Sequence, residues 1–381
     1  MSVLSLNIIV CLVAVFIIAW VLPRSFQITG VALITALFMG YYAPLSLVIL
    51  FLTALLTYFS DKVFRRRTAS IGVSIAALAL VFLLAKSFQN FFSADPSQKV
   101  IALGLFYYVL RQIHCLAELY KRTLPDHSLS DYLNYLFFFP TLLAGPINLF
   151  PEFRRDIQRR RFDVEALSIG LERIVYGYAK VVILANWLIT EKMSAYIRSV
   201  STDHNSVAAY LDCVRYGLNL YFQFSGYSDI AIGVSLAMGF RIIENFNHPY
   251  LAQNINDFWQ RWHISLSKWC RDYVFMSVIS VTRKPLLAVL SSMLVIGLWH
   301  ELSTRYLVWA LYHGCGIAVW HSFQHFKRRF QWPDFLWLNR TVTVFSIAFT
   351  VNFVILSFAL TKSATLTEAF HVYATIFNIG K

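Results

Sequence analysis

The chain has 381 residues, of which 58% are hydrophobic and only 14% charged, with a mean hydropathy of +0.58. A soluble globular domain of that composition would leave more apolar surface than water accepts, so the sequence reads as a polytopic membrane protein. The formal net charge of +13 does not point to nucleic acid, because the basic residues cluster in short loops between apolar runs, the pattern that sets membrane orientation.

Residues 4–22 are long enough to span and lack the basic start and small-residue cleavage site of a secretory signal, so a retained transmembrane helix is expected. Residues 28–59 are too many for one simple span and contain Gly40 and Pro44, which predicts either a kinked helix or a helix pair with a tight break. The run ends at Lys62, Arg65, Arg66 and Arg67, which the positive-inside rule puts in the cytoplasm. Residues 71–92 lead to a polar segment at 93–97. Residues 100–120 return with Arg111, His114 and Glu118 on one helical face, read as a self-neutralising cluster that locks packing, with a substrate contact as the alternative.

Residues 132–150 are apolar, broken by Pro140, Gly145 and Pro146, and followed by Arg154, Arg155, Arg159, Arg160 and Arg161. Basic flanks on both sides predict a re-entrant segment on the cytoplasmic wall of a cavity. The arginines there are placed either to meet the phosphate of an anionic donor or to face anionic lipid. Residues 167–189 span outward, 192–205 form a polar external loop, and 207–240 return with an interruption at Ser225 and Gly226. Asp229 follows that break. An intramembrane carboxylate is a functional candidate, but Tyr227, Ser228 and freed backbone amides are enough to satisfy it, so structural support is the preferred reading. Residues 286–299, 307–323 and 342–360 complete the spans before a short C-terminal tail. The five cysteines stand singly, mostly in apolar stretches, as small packing residues.

The chain is organised around residues 254–313. In FWQRWHISLSKWCRDYVF, helical spacing puts Phe258, Trp259, Trp262, Leu266, Trp269, Cys270 and Tyr273 on one arc and Asp257, Arg261, Lys268 and Asp272 on the other. That predicts a helix lying along the membrane surface, with His263 at the edge of the apolar arc and facing inward; an interfacial anchor with a hydrogen-bonded wedge is the plainer reading. Further on, an apolar run ends in GLWH. Burial of His300 there is expected to keep its imidazole neutral, and an unpartnered polar group at that place calls for a partner, a water-filled cavity or a reaction. His313, His321 and His325 share a helix face but bring no carboxylate or thiolate in register, so no metal is assigned.

The words FFFPTLLAGPINLFPEF (137–153), FQFSGYSDIAIG (222–233), ENFNHPY (244–250), FWQRWHISLSKWCRDYVF (258–275), GLWH (297–300) and YHG (312–314) resemble the membrane-bound O-acyltransferases. The likeness is to the bacterial branch that includes alginate O-acetyltransferase and the teichoic acid D-alanyl transfer protein. It implies an all-α polytopic fold of roughly 10–12 transmembrane helices, with re-entrant and interfacial helices around a central tunnel. One integral domain is expected over residues 1–381, with the family core at about 103–321. The resemblance makes His300 the catalytic base and gives His263 an assisting or orienting role. Candidate substrate contacts around them are Trp299, Glu301, Asp229, Arg261, Trp262, Asn247 and His313. Glu301 departs from the glycine expected after GLWH, which puts acceptor identity in question.

The activity so implied is transfer of a short acyl group, acetyl first, from a cytoplasmic thioester to a hydroxyl of an extracytoplasmic polysaccharide or of a partner protein. The donor, acetyl-CoA or a phosphopantetheine carrier protein, is a substrate, and no tightly bound cofactor is expected. An exported accessory acyltransferase-type protein or the glycopolymer is the outer partner, and membrane lipids surround the chain in the bacterial cytoplasmic membrane. RDYVFM (271–276) and the compact length favour D-alanyl transfer as the alternative. A transporter or scaffold without catalysis is the alternative outside the class.

Overall fold

Proline cannot donate to a preceding helical turn and disfavours helix at the residue before it. In the computed structural model of the chain, the run at residues 28–59 divides at that point: α2 (Gln27–Tyr42) stops at Ala43 and α3 (Pro44–Val63) starts on Pro44. The structure describes residues 5–63, 68–92, 104–142, 145–327, 329 and 336–379; Arg65 to Arg67, the segment 93–97 and Arg328 lie outside them. The described residues contain no β-strand. They form two compact units.

The first unit takes in residues 1–178 and 227–243. In α1 (Leu6–Val21), Ile8, Cys11, Val15 and Ala19 are buried at helical spacing, while Leu6, Val10, Val13, Ile17 and Val21 are between 48% and 74% exposed. A helix apolar on both sides but covered on one has no stable environment in water and calls for lipid. Among the described residues two helices are long and apolar enough to cross a hydrocarbon core, Ser70–Ser87 and Arg340–Lys362. Leu6–Val21, Gln27–Tyr42, Pro44–Ser60 and Pro285–His300 are apolar but shorter.

α5 (Leu105–Tyr120) carries the expected polar residues, and two of them brace the irregular segment that follows. Buried Arg111 donates to the carbonyls of Tyr135 and Leu136, with its guanidinium 4.1 Å from the Tyr135 ring. His114 Nε2 accepts the Phe150 N–H at 3.2 Å, and Glu118 pairs with Lys121 at 3.2 Å. Arg111 and His114 meet the packing role through backbone partners that no helical spacing reveals, while Glu118 pairs with Lys121 and not with Arg111. The segment itself is a short α6 (Leu129–Leu136), one 3-10 turn at Phe139–Thr141, and α7 (Phe150–Arg159). Arg160 points into the protein. It is buried, donates to the Ala19 carbonyl and lies 4.5 Å over Trp20.

α8 (Val164–Ala179) and α10 (Asn205–Ala237) cross at glycines. A Cβ on Gly170 would lie 2.6 Å from the Gly233 carbonyl oxygen, and one on Gly233 would lie 2.5 Å from that of Gly170. Only residues without side chains allow such an approach. Beside the crossing, Arg173 donates two N–H groups to Asp229 at 2.9 and 3.0 Å. This ion pair gives Asp229 the supporting role expected of it, yet without the expected break. α10 runs unbroken through Ser225 and Gly226, because one interior glycine costs only about 1 kcal/mol and packing outweighs it.

The second unit takes in residues 179–226 and 244–381. The loop expected at 192–205 is helical for most of its length, as a π-helix over Lys180–Met193 and α9 (Ser194–Val200). The stretch around His263 forms α11 (Ile255–Arg261), α12 (Ile264–Cys270), a π turn at Arg271–Phe275 and α13 (Met276–Thr282). α14 (Pro285–His300) and α15 (Thr304–Lys327) make a close hairpin, in which a Cβ on Gly297 would lie 2.7 Å from the Tyr306 carbonyl oxygen. α16 (Leu336–Lys362) follows, and the expected tail is a further helix, α17 (Leu366–Ile376), whose first turn is capped by Thr365 accepting the Glu368 N–H at 3.1 Å.

Arg305 ties three of these elements together. Its side chain is 14% exposed and donates to Glu301 at 2.5 Å, to the Thr361 carbonyl at 2.9 Å and to the Ser363 carbonyl. Arg305→Ala strands a carboxylate and two carbonyls, and is expected to cost about 3 kcal/mol. Glu301→Gln leaves the carbonyl bonds in place and is expected to cost less. Thermal unfolding of the two purified variants in detergent ranks them, and equal loss would contradict this role.

Candidate active site

The amphipathic stretch is not one helix. α11 stops at Arg261, α12 starts at Ile264, and His263 between them adopts the left-handed region at φ 45°. For a residue with a side chain this costs on the order of 1–2 kcal/mol, so surrounding structure must enforce it. The ENFNHPY word supplies that structure. Asn247 N–H donates to the Arg261 carbonyl and Ile264 N–H to the Asn245 carbonyl, each at 2.9 Å. Ser265 donates its N–H at 3.3 Å and its hydroxyl at 2.9 Å to the Asn245 side chain. Arg261 also holds Asp257 at 2.6 Å, and Trp262 packs among Tyr221, Phe246, Tyr250 and Phe258. Asn247, Arg261 and Trp262 thus hold the bend that carries His263. The apolar arc survives the break: Phe258, Trp259, Trp262, Leu266, Trp269 and Cys270 are all buried.

His263 is 2% exposed, and among the described residues neither ring nitrogen has a hydrogen-bond partner. Its ring meets Phe224 at 4.6 Å and Trp299 at 5.9 Å. Burial, and to a lesser extent the charge of nearby His300, pushes its pKa down to about 3, which keeps the imidazole neutral.

His300 differs from expectation. It is exposed, not buried, because it is the last residue of α14 and the chain leaves it in extended conformation at Glu301. Its ring lies 4.9 Å from Trp299, 5.9 Å from Trp309 and 5.8 Å from Tyr306, nearly parallel to the last. Trp299 therefore contacts both histidines. Glu301 is committed to Arg305. His313, 1% exposed, bonds Ser357 Oγ through Nε2 at 3.0 Å, and its ring meets Trp309 at 4.8 Å and Trp259 at 5.4 Å.

Of the residues expected to form the site, His263, Trp299, His300 and His313 come together in one ring network of the second unit, while Asp229 belongs to the first unit. Tyr306, Trp309 and, as a site residue, Trp259 escape the motif reading. The spacing of Tyr306, Trp309 and His313, three and then four residues apart, marks one helix face and is the signal that would have found two of them. Among the described residues no group of three His, Cys, Asp or Glu side chains is placed to hold a metal ion. Trp259 also lines a cavity of about 640 Å³, with Ser267, Lys268, Arg271, Met293 and Ile296 among its walls.

The arrangement has one exposed imidazole at a helix end and two buried ones, His263 and His313, in one network of aromatic rings, which suits proton transfer at a substrate oxygen. The profile of the membrane-bound O-acyltransferase family, MBOAT, matches residues 25–365. A probable alginate O-acetylase of Pseudomonas aeruginosa is 31% identical over 288 residues, 74% of this chain and 52% of that protein. A teichoic acid D-alanyltransferase of Bacillus subtilis is 32% identical over 283 residues, 69% of each chain. A peptidoglycan O-acetyltransferase of Helicobacter pylori is 29% identical over 308 residues, 72% of this chain and 56% of that protein. This chain spans about half the length of the alginate relatives it matches. A match that runs from residue 25 to 365, through every motif that builds the histidine network, makes this chain a member of the membrane-bound O-acyltransferase family.

Proposed function

We propose that the protein is an acyltransferase of the bacterial cytoplasmic membrane. It moves a short acyl group, acetyl first, from a cytoplasmic thioester to a hydroxyl of an extracytoplasmic polysaccharide or of an exported partner protein. The observation that carries this reading is the pair of motif histidines on one tryptophan, His263 at 5.9 Å and His300 at 4.9 Å from Trp299. His300 is the base. As the hydroxyl oxygen attacks the thioester carbonyl, a ring nitrogen of His300 takes its proton. The C–S bond then breaks, the thiolate leaves, and the imidazolium returns the proton to sulfur, leaving an ester and a free thiol. The end of α14 is a place where a developing cation is favoured.

The cavity beside Trp259 is our candidate for the donor arm. Its apolar wall with Lys268 and Arg271 suits a flexible chain that ends in phosphate. Acetyl-CoA or a phosphopantetheine carrier serves as a consumed substrate. For the remainder of the fold we propose roughly 10–12 spans, with the segment at 132–150 re-entrant, around a tunnel that separates donor from acceptor. The Bacillus subtilis D-alanyltransferase, matched over 69% of its length, supports D-alanyl transfer as a second reading.

The test is acyl transfer by the purified full chain in lipid nanodiscs, offered acetyl and D-alanyl thioesters of CoA and of a carrier protein. Ester formation from the acetyl thioester is expected. Transfer of D-alanine alone would select the second reading, and turnover of neither would leave a scaffold.

A further inference from the structure

Three aromatic rings lie against His300, and one of them meets the imidazole differently from the others. Trp299 and Trp309 stand nearly perpendicular to it, at 73° and 86°, whereas Tyr306 lies within 25° of parallel, with ring centres 5.8 Å apart. The phenol therefore turns its π face to the imidazole. Such a face carries negative potential, and a cation within about 6 Å of its centre is attracted to it. A neutral imidazole gains little from that neighbour, and an imidazolium gains more.

Both helices of the hairpin build this contact. Gly297 and His300 stand three residues apart on α14 and share a face. A Cβ on Gly297 would lie 2.7 Å from the Tyr306 carbonyl oxygen and 2.9 Å from Ala310 Cβ, so only a bare residue lets the α15 backbone press against α14 one turn before His300. Next in sequence to Tyr306, Arg305 bonds the Thr361 and Ser363 carbonyls at the end of α16 and so fixes the first turn of α15. Its guanidinium is 5.3 Å from the centre of the Tyr306 ring, but Glu301 pairs with it at 2.5 Å, so the two together bring little net charge to His300. The other titratable neighbours are His263, held neutral by burial, and Tyr216 of α10, which is close to Tyr306.

We propose that Tyr306 is the positioning residue of the base: its ring face seats the His300 imidazole and stabilises the imidazolium formed when the acceptor hydroxyl gives up its proton, and Gly297 is bare so that this ring can reach it. This rests on the acyl-transfer reading above, in which His300 takes that proton and returns it to sulfur, and adds to it a residue that acts through His300. It also gives the glycine of GLWH a task. Glycine disfavours a helix interior, and the close approach of Tyr306 explains its presence at 297.

The experiment follows kcat/KM for acyl transfer against pH, with the full chain in nanodiscs, the thioester that supports turnover and a methyl hexopyranoside as acceptor. The acidic limb of that profile reports protonation of the base in the free enzyme. Tyr306→Leu keeps apolar bulk but removes the π face, so the limb is expected to move down by about 0.5 pH unit and the plateau to fall by about threefold to tenfold. Tyr306→Phe keeps the face and is expected to hold the limb at its wild-type position. Gly297→Ala forces Tyr306 away from α14 and is expected to move the limb as Tyr306→Leu does. A general loss of folded enzyme lowers the plateau without moving the limb, so instability does not imitate the effect. A limb that stays in place in Tyr306→Leu overturns the proposal and assigns the ring to packing. A limb that moves as far in Tyr306→Phe overturns it as well, because the hydroxyl and not the face would then be acting. An unmoved limb in Gly297→Ala strikes the glycine from the arrangement. If the acidic limb survives in the residual activity of His300→Ala, or the wild type acylates no hydroxyl at all, the reading of His300 as base falls first and takes this one with it.

Discussion

Replacing His300 with alanine is expected to lower acyl transfer by about 10²–10⁴-fold, the usual worth of general-base assistance, without unfolding the protein. The side chain is exposed at the end of α14, so its loss opens no core cavity. His300→Gln should not restore activity, because an amide holds a hydrogen bond but does not take up the proton. Donor binding, followed with a non-transferable thioether analogue, should change little, which separates loss of chemistry from loss of substrate. Near-wild-type transfer by a monodisperse His300→Ala protein would remove His300 from the mechanism. Glu301→Gly belongs to a different class. Since Glu301 is held by Arg305 at 2.5 Å, its removal should act first on stability and only then on acceptor choice.

The helices were legible where one physical pattern determines them. The apolar runs, the break at Pro44 and the buried arc of the Trp-rich stretch follow from hydropathy, missing N–H groups and the 3.6-residue repeat. What the sequence hid depends on partners distant along the chain. Gly226 reads locally as a helix break, yet α10 continues through it, and Asp229 finds Arg173 from 56 residues away. The bend at His263 is equally invisible to periodicity. A helix through residues 258–275 satisfies every local preference, and only the hydrogen bonds that Asn245 accepts and Asn247 donates show why the chain turns at 263. The same holds for His300. An apolar run implies burial, but His300 is the last residue of its helix, where the chain leaves in extended conformation and the imidazole stays open. In each case the local pattern misjudged surroundings that partners distant along the chain decide.

His263→Ala is expected to lower transfer by about 10–100-fold, less than the loss at His300, while the protein remains folded in the membrane. The reason is geometric. His263 meets Trp299, which in turn meets His300, so its removal loosens the ring against which the base is set and leaves the base itself in place. The pH dependence of stability supplies a readout separate from catalysis. In the folded protein the His263 pKa is pushed from its ordinary 6.5 down to about 3 by burial. Between those values the unfolded chain holds a proton that the folded chain does not, so stability falls as pH drops below 6.5 and stops falling through this group near 3. The slope it contributes approaches about 1.4 kcal/mol per pH unit within that window. His263→Asn removes the titrating group at similar size, and its melting temperature in detergent should decline less steeply than the wild type's as pH is lowered from 6.5 to 4.5. Parallel pH profiles would mean that His263 is solvated in the folded state. Unimpaired transfer by His263→Ala would reduce it to the wedge that shapes the bend.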